Sequence, residues 1–288
     1  MTASVFSLQG KVAIVTGASY GLGVTFAQAL AEAGADIVAT ARSVDRLDDT
    51  RAIVEKLGRV CHVVACDIRD FSQVEALMKS AWDRFGRVDI LVNNAGSSDP
   101  RGLRSEHSGP EVFAEMIATD LTGLWHCCLA AGRHMLRQGS GNIINISSIF
   151  GAGGFEGRTP GYFAAKGGVN NLTQLLACEW ADRGVRVNAL APHFFDSPMT
   201  HDLLVSSGFV PHLEGRTPMR RIGQLSDLVG PIVFLASDAS SFVNGVILPL
   251  DGGLTAARGY SPGPFPNDLW DPAGKGQPLM PGAAWDSD

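Results

Sequence analysis

The chain has 288 residues, of which 45% are hydrophobic, and its formal net charge is −6 at pH 7. This length and hydrophobic content are enough for one sizeable core, in one large α/β domain or in two smaller domains. The acidic balance and the lack of a basic block argue against nucleic acid or an anionic membrane as a partner.

Seven short apolar runs predict β-strands, and longer segments of helical period lie between them. The runs are Val12–Thr16, Ile37–Thr40, Val60–Ala65, Ile90–Val92, Ile143–Ile146, Val185–Leu190 and Val246–Leu250. The helical segments include Val24–Ala33, Ser72–Phe85, Glu111–Arg137 and Phe163–Asp182. Continuous apolar runs indicate a sheet covered on both faces, and the alternation with helices indicates βαβ units. The sequence therefore predicts an α/β fold with a doubly wound parallel sheet of the Rossmann type and about seven strands.

The end of the chain differs in composition from the rest. No repeat or linker divides the segment from Gln9 to Thr255, so we predict one domain over residues 1–255. Residues 256–288 are one-third proline plus glycine, which disfavours helix and sheet. They also carry four aromatic residues, Tyr260, Phe265, Trp270 and Trp285. We expect an extended arm that packs on a surface, such as that of a neighbouring subunit.

The cysteines and the apolar segments indicate a cytoplasmic protein. Cys61, Cys66, Cys127, Cys128 and Cys178 form no CxxC pair, and no histidine cluster completes a metal set. We interpret them as reduced, mostly buried thiols. The N-terminal residues lack the pattern of a signal peptide, and no apolar run reaches the ~18 residues of a membrane span.

A glycine-rich turn follows the first strand and opens the first helix. In TGASYGLG, Gly17, Gly21 and Gly23 permit an unusual backbone and a close approach to a pyrophosphate. The N-terminus of the helix offers free N–H groups to phosphate oxygens. Tight turns also use glycine, but the position in the first βαβ unit favours a dinucleotide. We assign to the cofactor Gly17, Ser19, Tyr20, Gly21, Leu22 and Gly23.

The end of the second strand selects the cofactor. A carboxylate there would bind the ribose 2′-hydroxyl of NAD, whereas an arginine would accept the 2′-phosphate of NADP. The strand ends with Ala41 and Arg42, so NADP is favoured and NAD remains possible. The alternative is that Arg42 is only a solvated surface charge.

A serine, a tyrosine and a lysine are the candidate reacting groups of this sequence. Ser147 and Ser148 follow the strand Ile143–Ile146, at the sheet edge where doubly wound proteins bind ligands. In GYFAAK, Tyr162 and Lys166 share one helix face, although a surface helix without a chemical role would show the same pattern. Ser148 has no histidine base nearby and is not expected to be a nucleophile.

Carbonyl reduction fits these groups better. Tyr162 would donate a proton to the carbonyl oxygen while hydride reaches the carbon. A free phenol is a poor acid at neutral pH, and the Lys166 ammonium favours the phenolate form. Ser148 would hydrogen-bond the substrate oxygen and stabilise its developing charge.

The chain resembles the short-chain dehydrogenase/reductase family over about residues 6 to 255. The motifs that carry the resemblance are TGASYGLG, Asp67 in ACDI, NNAG at Asn93–Gly96, ISS at Ile146–Ser148, YFAAK, RVNALAP at Arg186–Pro192 and LDGG at Leu250–Gly253. The segments FSLQGKVAIVTG, FFDSPM, RTPMRRIG and FLASDASSFVNG are similar to gluconate 5-dehydrogenase-like members, which act on sugar acids and polyols.

The resemblance implies a seven-stranded sheet, a homo-oligomer (dimer or tetramer) and further cofactor contacts. It implies Asp67 and Ile68 on the adenine side, Asn94, Ala95 and Gly96 on the ribose side, and Ser197 beside the carboxamide. Lys166 would also hold the nicotinamide ribose. We also assign to the cofactor Tyr162, Pro192, Phe195 and Met199. The apolar positions Val169, Leu172, Leu176 and Trp180 exceed what one sheet contact requires and favour an oligomer.

Several positions depart from the family pattern. Asp120 stands where members carry an asparagine whose carbonyl holds a proton-relay water; its carboxylate could pair with Lys166, or it could face water as a helix residue. His193 replaces the glycine after Pro192 and would contact substrate or point away. Tyr20 replaces an arginine of the phosphate turn, which weakens the preference for NADP. The Gly151–Gly161 loop is one residue longer than usual, so we expect it to bulge.

Specificity is expected from the loop after Pro192. The segment His193–Met219 lacks a clear core pattern and is placed to close over substrate as a lid. Arg101, Arg104 and Arg158 could bind a substrate carboxylate or phosphate, or could be solvated surface charges.

The sequence thus predicts an NADP-preferring oxidoreductase, with a dinucleotide-binding catalytic domain over residues 1–255, that interconverts a secondary alcohol and a ketone. Two alternatives stay open: a non-catalytic dinucleotide-binding regulator or scaffold, and an enzyme of the same fold that reduces imines or dehydrates its substrate.

Overall fold

The structure is a computed structural model that describes residues 4–97, 105–154, 160–197, 200, 204 and 209–257. Some predicted features lie outside the described residues. They are Arg101, Arg104, Arg158, Met199, part of the Gly151–Gly161 loop, part of the expected lid and the arm beyond residue 257.

One sheet of seven parallel strands forms the centre of the molecule. The strands are β1 Val12–Thr16, β2 Asp36–Ala41, β3 Cys61–Ala65, β4 Ile90–Asn93, β5 Gly141–Ile146, β6 Val185–Pro192 and β7 Ile247–Leu250. Their order is β3-β2-β1-β4-β5-β6-β7, so the direction of winding reverses between β1 and β4. The predicted doubly wound parallel fold is confirmed. A ligand cleft is expected at this reversal, beyond the carboxyl ends of the strands.

Eight α-helices are described: α1 Leu22–Glu32, α2 Asp48–Lys56, α3 Phe71–Phe85, α4 Pro110–Ile117, α5 Leu124–Gln138, α6 Pro160–Trp180, α7 Phe209–Arg216 and α8 Val229–Ala236. Two buried apolar clusters cover the two faces of the sheet. One contains Phe26 and Leu30 of α1 with Ile232 and Leu235 of α8. The other joins side chains of α3, α5 and α6. Because both faces are covered, most positions in the strands are apolar.

The predicted helix Glu111–Arg137 is divided by a change of helical pitch. Residues Ala118–Gly123 form a π-helical turn between α4 and α5. Such turns insert one residue into a helix and occur often at functional sites. This turn contains Asp120, which is buried, and ends at Gly123, where a Cβ atom would lie 2.7 Å from the Ile68 side chain.

The apolar positions of α6 are largely used within the chain. Val169, Leu176 and Trp180 are buried in the second core cluster, and Leu172 packs against it. These residues therefore give no independent reason for an oligomer. On the same helix Leu175 is 53% exposed. Among the described residues, no helix has the length and hydropathy required to cross a membrane.

Candidate active site

The glycine-rich turn forms an open cradle at the end of β1. Gly17 and Gly21 have φ angles of 65° and 60°, in the left-handed region that glycine tolerates best. Gly23 lies behind the cradle, where an added Cβ would be 2.1 Å from the Gly17 carbonyl oxygen. The N-cap residue of α1 is Gly21, which has no side chain to cap the helix, so the first N–H groups of α1 are available to a phosphate. The turn therefore fits a dinucleotide pyrophosphate.

Hydrogen bonds from the end of β4 hold the cradle in place. The side-chain amide of Asn94 donates to the carbonyl oxygens of Thr16 and Gly17, at 3.0 and 3.1 Å. The Thr16 hydroxyl accepts from the backbone N–H groups of Asn94 and Ala95, each at 3.0 Å. Asn94 thus braces the turn, and its partner is Thr16, whose role no motif in the sequence indicates.

Charged side chains line the cleft where β2 and β3 end. Arg42 is exposed and lines the cleft together with Asp67 and Arg69. The Arg69 guanidinium donates to both oxygens of Asp67, with the shortest contact at 2.5 Å. These hydrogen bonds lower the pKa of Asp67 below 3.8, and the charge of Arg42 adds to the effect. Arg69, which no motif in the sequence indicates, gives this end of the cleft a second guanidinium.

Packing on α5 fixes the residue after Asp67. Ile68 is buried against Gly123, and Nδ1 of His126 donates to its carbonyl oxygen at 3.0 Å. The backbone of Ile68, one of the predicted adenine-side contacts, is therefore held both by packing against Gly123 and by the hydrogen bond from His126. His126 acts through a backbone carbonyl, so no motif in the sequence signals its role.

The three predicted reacting groups line the same cleft, which has a volume of about 570 Å³. The buried Ser148 hydroxyl donates to the Pro192 carbonyl oxygen at 3.5 Å and accepts from the Phe150 N–H at 3.2 Å. The buried Lys166 ammonium donates to the Ile146 carbonyl oxygen at 2.9 Å. It lies 5.5 Å from the centre of the Tyr162 ring. The structure thus brings phenol and ammonium to one face of α6, beside the end of β5.

Asp120 lies close to this site but does not line the cleft. The alternative that it faces water is wrong, because only 1% of the residue is exposed. Its carboxylate accepts from the backbone N–H of Ser97 at 2.6 Å and from the Ser97 hydroxyl at 3.3 Å. Burial raises the pKa of Asp120 above its ordinary 3.8, and the Lys166 charge and the Ser97 hydrogen bonds offset only part of the rise. The Lys166 hydrogen bond goes to Ile146 rather than to Asp120.

The first residues after Pro192, among them His193 and Phe194, line the cleft. The His193 ring lies edge-on to Phe150 and Phe194, with centroid distances of 6.3 and 5.0 Å. Phe150 and Phe194 pack with Leu204 and with Leu213 of α7 in a third apolar cluster, which Tyr162 also contacts. The described lid residues Phe194, Leu204 and Leu213 therefore pack against the segment that follows β5, a contact that the scattered apolar residues of the lid did not reveal.

The other predicted cofactor residues that are described also line the cleft. They are Ser19, Tyr20, Leu22, Gly96, Pro192, Phe195 and Ser197. Ser197 is buried beside Thr200, their hydroxyl oxygens being 3.0 Å apart. Of the predicted site residues that are described, Gly23 and Asp120 stand behind the wall of the cleft.

Known proteins resemble the chain in sequence and in structure. A family model described as enoyl-(acyl carrier protein) reductase matches residues 17–255. Gluconate 5-dehydrogenase of Gluconobacter oxydans is 38% identical, with 88% of this chain and 97% of the relative covered. Cis-4-hydroxycyclohexanecarboxylate dehydrogenase of Sinomonas cyclohexanicum is 40% identical, with 85% and 97% covered.

Among solved structures, a gluconate 5-dehydrogenase from Burkholderia cenocepacia in complex with NADP and tartrate superposes with a TM-score of 0.84. It is 35% identical and covers 89% of this chain and 100% of its own. The family model, the two relatives and the solved structure each match most of the chain. The chain therefore belongs to the short-chain dehydrogenase/reductase family and is an oxidoreductase.

Proposed function

We propose that the protein is an NADP-preferring dehydrogenase that interconverts a secondary alcohol and a ketone on a hydroxy acid, such as a sugar acid. The observation that carries this proposal is the position of Ser148, Tyr162 and Lys166 in one cleft with the glycine-rich turn. Relatives named for gluconate and for a hydroxycyclohexanecarboxylate support the substrate class. The neighbour with bound NADP supports the cofactor.

Residues along the cleft would hold the cofactor from end to end. The backbone of Gly17–Gly23 would hold the pyrophosphate, and Arg42 with Arg69 would bind the 2′-phosphate through charge-assisted hydrogen bonds. Asp67 and Ile68 would contact the adenine side, and Lys166 and Ser197 the nicotinamide side. When bound, the nicotinamide supplies or accepts a hydride.

The protein would supply the proton and hold the reacting oxygen. In the reductive direction the Tyr162 hydroxyl donates its proton to the carbonyl oxygen, and in the oxidative direction the phenolate takes the proton of the alcohol. The hydroxyl of Ser148 needs only to rotate from the Pro192 carbonyl to donate to the substrate oxygen. The buried ammonium of Lys166 stabilises negative charge on Tyr162 throughout.

Asp120 would act through its neighbours. Its two hydrogen bonds fix Ser97, which lines the cleft, and the Lys166 charge acts on its carboxylate. We therefore propose Asp120 as a positioning residue, whose backbone carbonyl remains available for a relay water.

Replacing Tyr162 by phenylalanine tests the assignment. Tyr162→Phe removes the hydroxyl but keeps the ring in the third apolar cluster, so NADPH should still bind. We expect kcat for hydroxy-acid oxidation to fall by roughly 100-fold or more. Turnover is followed by nicotinamide absorbance, and cofactor binding by its fluorescence. A variant that binds NADPH and retains wild-type turnover would refute the role of Tyr162.

We also propose that residues 1–255 form the catalytic domain, that the chain forms a homo-oligomer, and that it works in the cytoplasm. The family match over residues 17–255 supports the first point. Exposed apolar side chains on neighbouring helices, Phe113 of α4 and Leu175 of α6, support the second. The free thiols of Cys61, Cys66, Cys127, Cys128 and Cys178 support the third. A light-scattering mass of one subunit would contradict an oligomer.

A further inference from the structure

A second cavity lies beside the catalytic cleft in the described part of the chain. Its volume is about 350 Å³, within the usual range of binding pockets. Phe194 and Phe195 line both the cleft and this cavity, whereas Met219 and residues 249–253 line the cavity alone. The Phe195 ring packs on Gly223, where an added Cβ would lie 2.6 Å from it. The cavity therefore shares part of its wall with the catalytic cleft.

The carboxylates and the guanidinium in the wall of this cavity are already hydrogen-bonded. The Arg221 guanidinium donates to both oxygens of Asp227, at 2.6 and 3.0 Å. The Asp251 carboxylate accepts from the Gly253 N–H at 2.9 Å and from the N–H and hydroxyl of Thr255 at 2.8 and 2.6 Å. The surface that remains suits an apolar or aromatic side chain better than a charged ligand. Six residues supply this apolar surface: Phe194, Phe195, Met219, Ile222, Pro249 and Leu250.

The mouth of the cavity exposes apolar side chains to solvent. Met219 is 61% exposed, although it is one of the largest apolar residues of the wall. Pro249 in β7 is exposed as well. Apolar surface that surrounds a cavity in this way is typical of a place where another segment of protein binds.

The described part of the chain ends at the rim of this cavity. The backbone N–H of Met219 donates to the Gly252 carbonyl oxygen at 3.1 Å, and that of Ala257 donates to the Gly253 carbonyl oxygen at 3.0 Å. Leu254, between them in sequence, packs against the third apolar cluster and anchors this turn. Ala257 is the last described residue. The arm beyond it therefore starts one hydrogen bond away from the cavity wall.

The composition of the arm fits an apolar cavity. Residues 258–288 are rich in proline and glycine. They carry four aromatic residues, Tyr260, Phe265, Trp270 and Trp285. A chain spans at most about 3.6 Å per residue, so Tyr260 can lie up to about 11 Å from Ala257 and Phe265 up to about 29 Å. Aromatic rings supply large apolar areas to such contacts. The family match ends at residue 255, so the arm is additional to the shared fold.

We propose that residues 260–270 bind in the second cavity of their own chain and place an aromatic side chain against Phe194 and Phe195. The tether favours the chain's own arm over a separate partner, because the first aromatic residue follows Ala257 by only three positions. The bound ring supports the wall that the cavity shares with the catalytic cleft. This contact does not depend on the identity of the substrate.

Photo-crosslinking of the full chain tests the contact. Met219 is replaced by p-benzoylphenylalanine, the protein is irradiated and digested with trypsin, and linked peptides are identified by mass spectrometry. We expect the main product to be a link within one chain to the tryptic peptide of residues 259–275. The matched control carries the same amino acid in place of Leu57, which is 40% exposed. Leu57 ends α2 and leads into β3, at the opposite edge of the sheet from β7, and should give no such link.

A second set of variants separates binding from simple proximity of the tether. Tyr260→Ser, Phe265→Ser and Trp270→Ser are combined in the chain that carries p-benzoylphenylalanine at position 219. They keep the length of the arm and remove its first three rings. Because burial of one aromatic side chain is the main source of affinity in this contact, the yield of the link should fall by about tenfold or more. Trp285→Ser is the control and should leave the yield unchanged.

The outcomes decide between the chain's own arm and other occupants. Folded protein that gives no link from position 219 to residues 259–275 would overturn the proposal. An unchanged yield in the triple serine variant would overturn it too, because proximity alone would then explain the link. A linked product with twice the mass of the chain on a denaturing gel would assign the cavity to a second copy instead.

Discussion

Replacement of Lys166 by methionine tests the electrostatic part of the mechanism. Methionine keeps most of the volume of the buried side chain but removes the ammonium, 5.5 Å from the Tyr162 ring centre. If the phenolate charge is placed at the ring centre, it interacts with the ammonium by about 3 kcal/mol at an effective dielectric constant of about 20. Loss of that stabilisation predicts a decrease in the rate of the chemical step of roughly 100-fold.

The rate should be measured in single turnovers at saturating NADPH, so that weaker cofactor binding does not contribute. The Ile146 carbonyl oxygen also loses its donor, which is expected to lower the free energy of unfolding by about 1–3 kcal/mol. Lys79→Met is the matched control, because Lys79 is 75% exposed on α3. Its rate should equal that of wild type. A folded Lys166→Met protein with NADPH bound and a rate within about threefold of wild type would refute the electrostatic argument.

Three further predictions concern the cradle, the 2′-phosphate and the buried carboxylate. Gly23→Ala places a Cβ 2.1 Å from the Gly17 carbonyl oxygen, and the displaced turn should weaken NADPH binding by about tenfold or more in a fluorescence titration; unchanged affinity would show that the turn can relax without loss. Arg42→Ala should weaken NADPH binding and leave NADH binding nearly unchanged, whereas equal losses would refute the 2′-phosphate contact. Because the pKa of Asp120 is raised in the folded state, the folded state loses stability as pH rises from 3.8 through that raised pKa. Asp120→Asn removes this loss, so it should raise the melting temperature at pH 7 and have little effect below pH 3.8. A pH-independent difference would refute this assignment.

The sequence was enough to predict those features of the fold and the site that depend on local geometry. The seven strands were found because buried parallel strands are mostly apolar, and the four-residue spacing of Tyr162 and Lys166 places both on one face of α6. The π-helical turn at Ala118–Gly123 was missed because apolar residues continue through it. One inserted residue changes which side chains face inward, and it buries Asp120 in a stretch that reads as an ordinary helix.

Contacts between distant strands could not be read from the sequence. The bond from Asn94 to Thr16 spans 78 residues, and that from His126 to Ile68 spans 58. Both depend on how β1, β3, β4 and α5 are placed in space, which no local pattern encodes. The pairing of Arg69 with Asp67 is local, but a polar residue two positions from a carboxylate has many possible orientations, so its role stayed hidden as well.

A row of buried, hydrogen-bonded polar side chains links β4, β5 and α6. The amide of Asn93 at the end of β4 donates to Asn145 of β5 at 2.9 Å, and Asn145 donates to Thr173 of α6 at 2.9 Å. These groups lie in the interior, where an unpaired amide would cost about 1–3 kcal/mol. A shift in the register of β4, β5 or α6 would therefore break one of these hydrogen bonds and leave a buried polar group without access to water.

The proposed catalytic and cofactor-binding residues lie directly beside this row of buried polar side chains. Ser148 follows β5, Lys166 precedes Thr173 by two turns of α6, and the Asn94 brace follows Asn93. Ser147 adds a second tie between β5 and α6 through its 2.5 Å hydrogen bond to the Asn170 side chain. The same buried bonds that fix the sheet register thus set the phosphate cradle, the serine and the tyrosine–lysine pair at fixed separations. This placement favours catalysis by preorganised groups over one that requires them to assemble around the substrate.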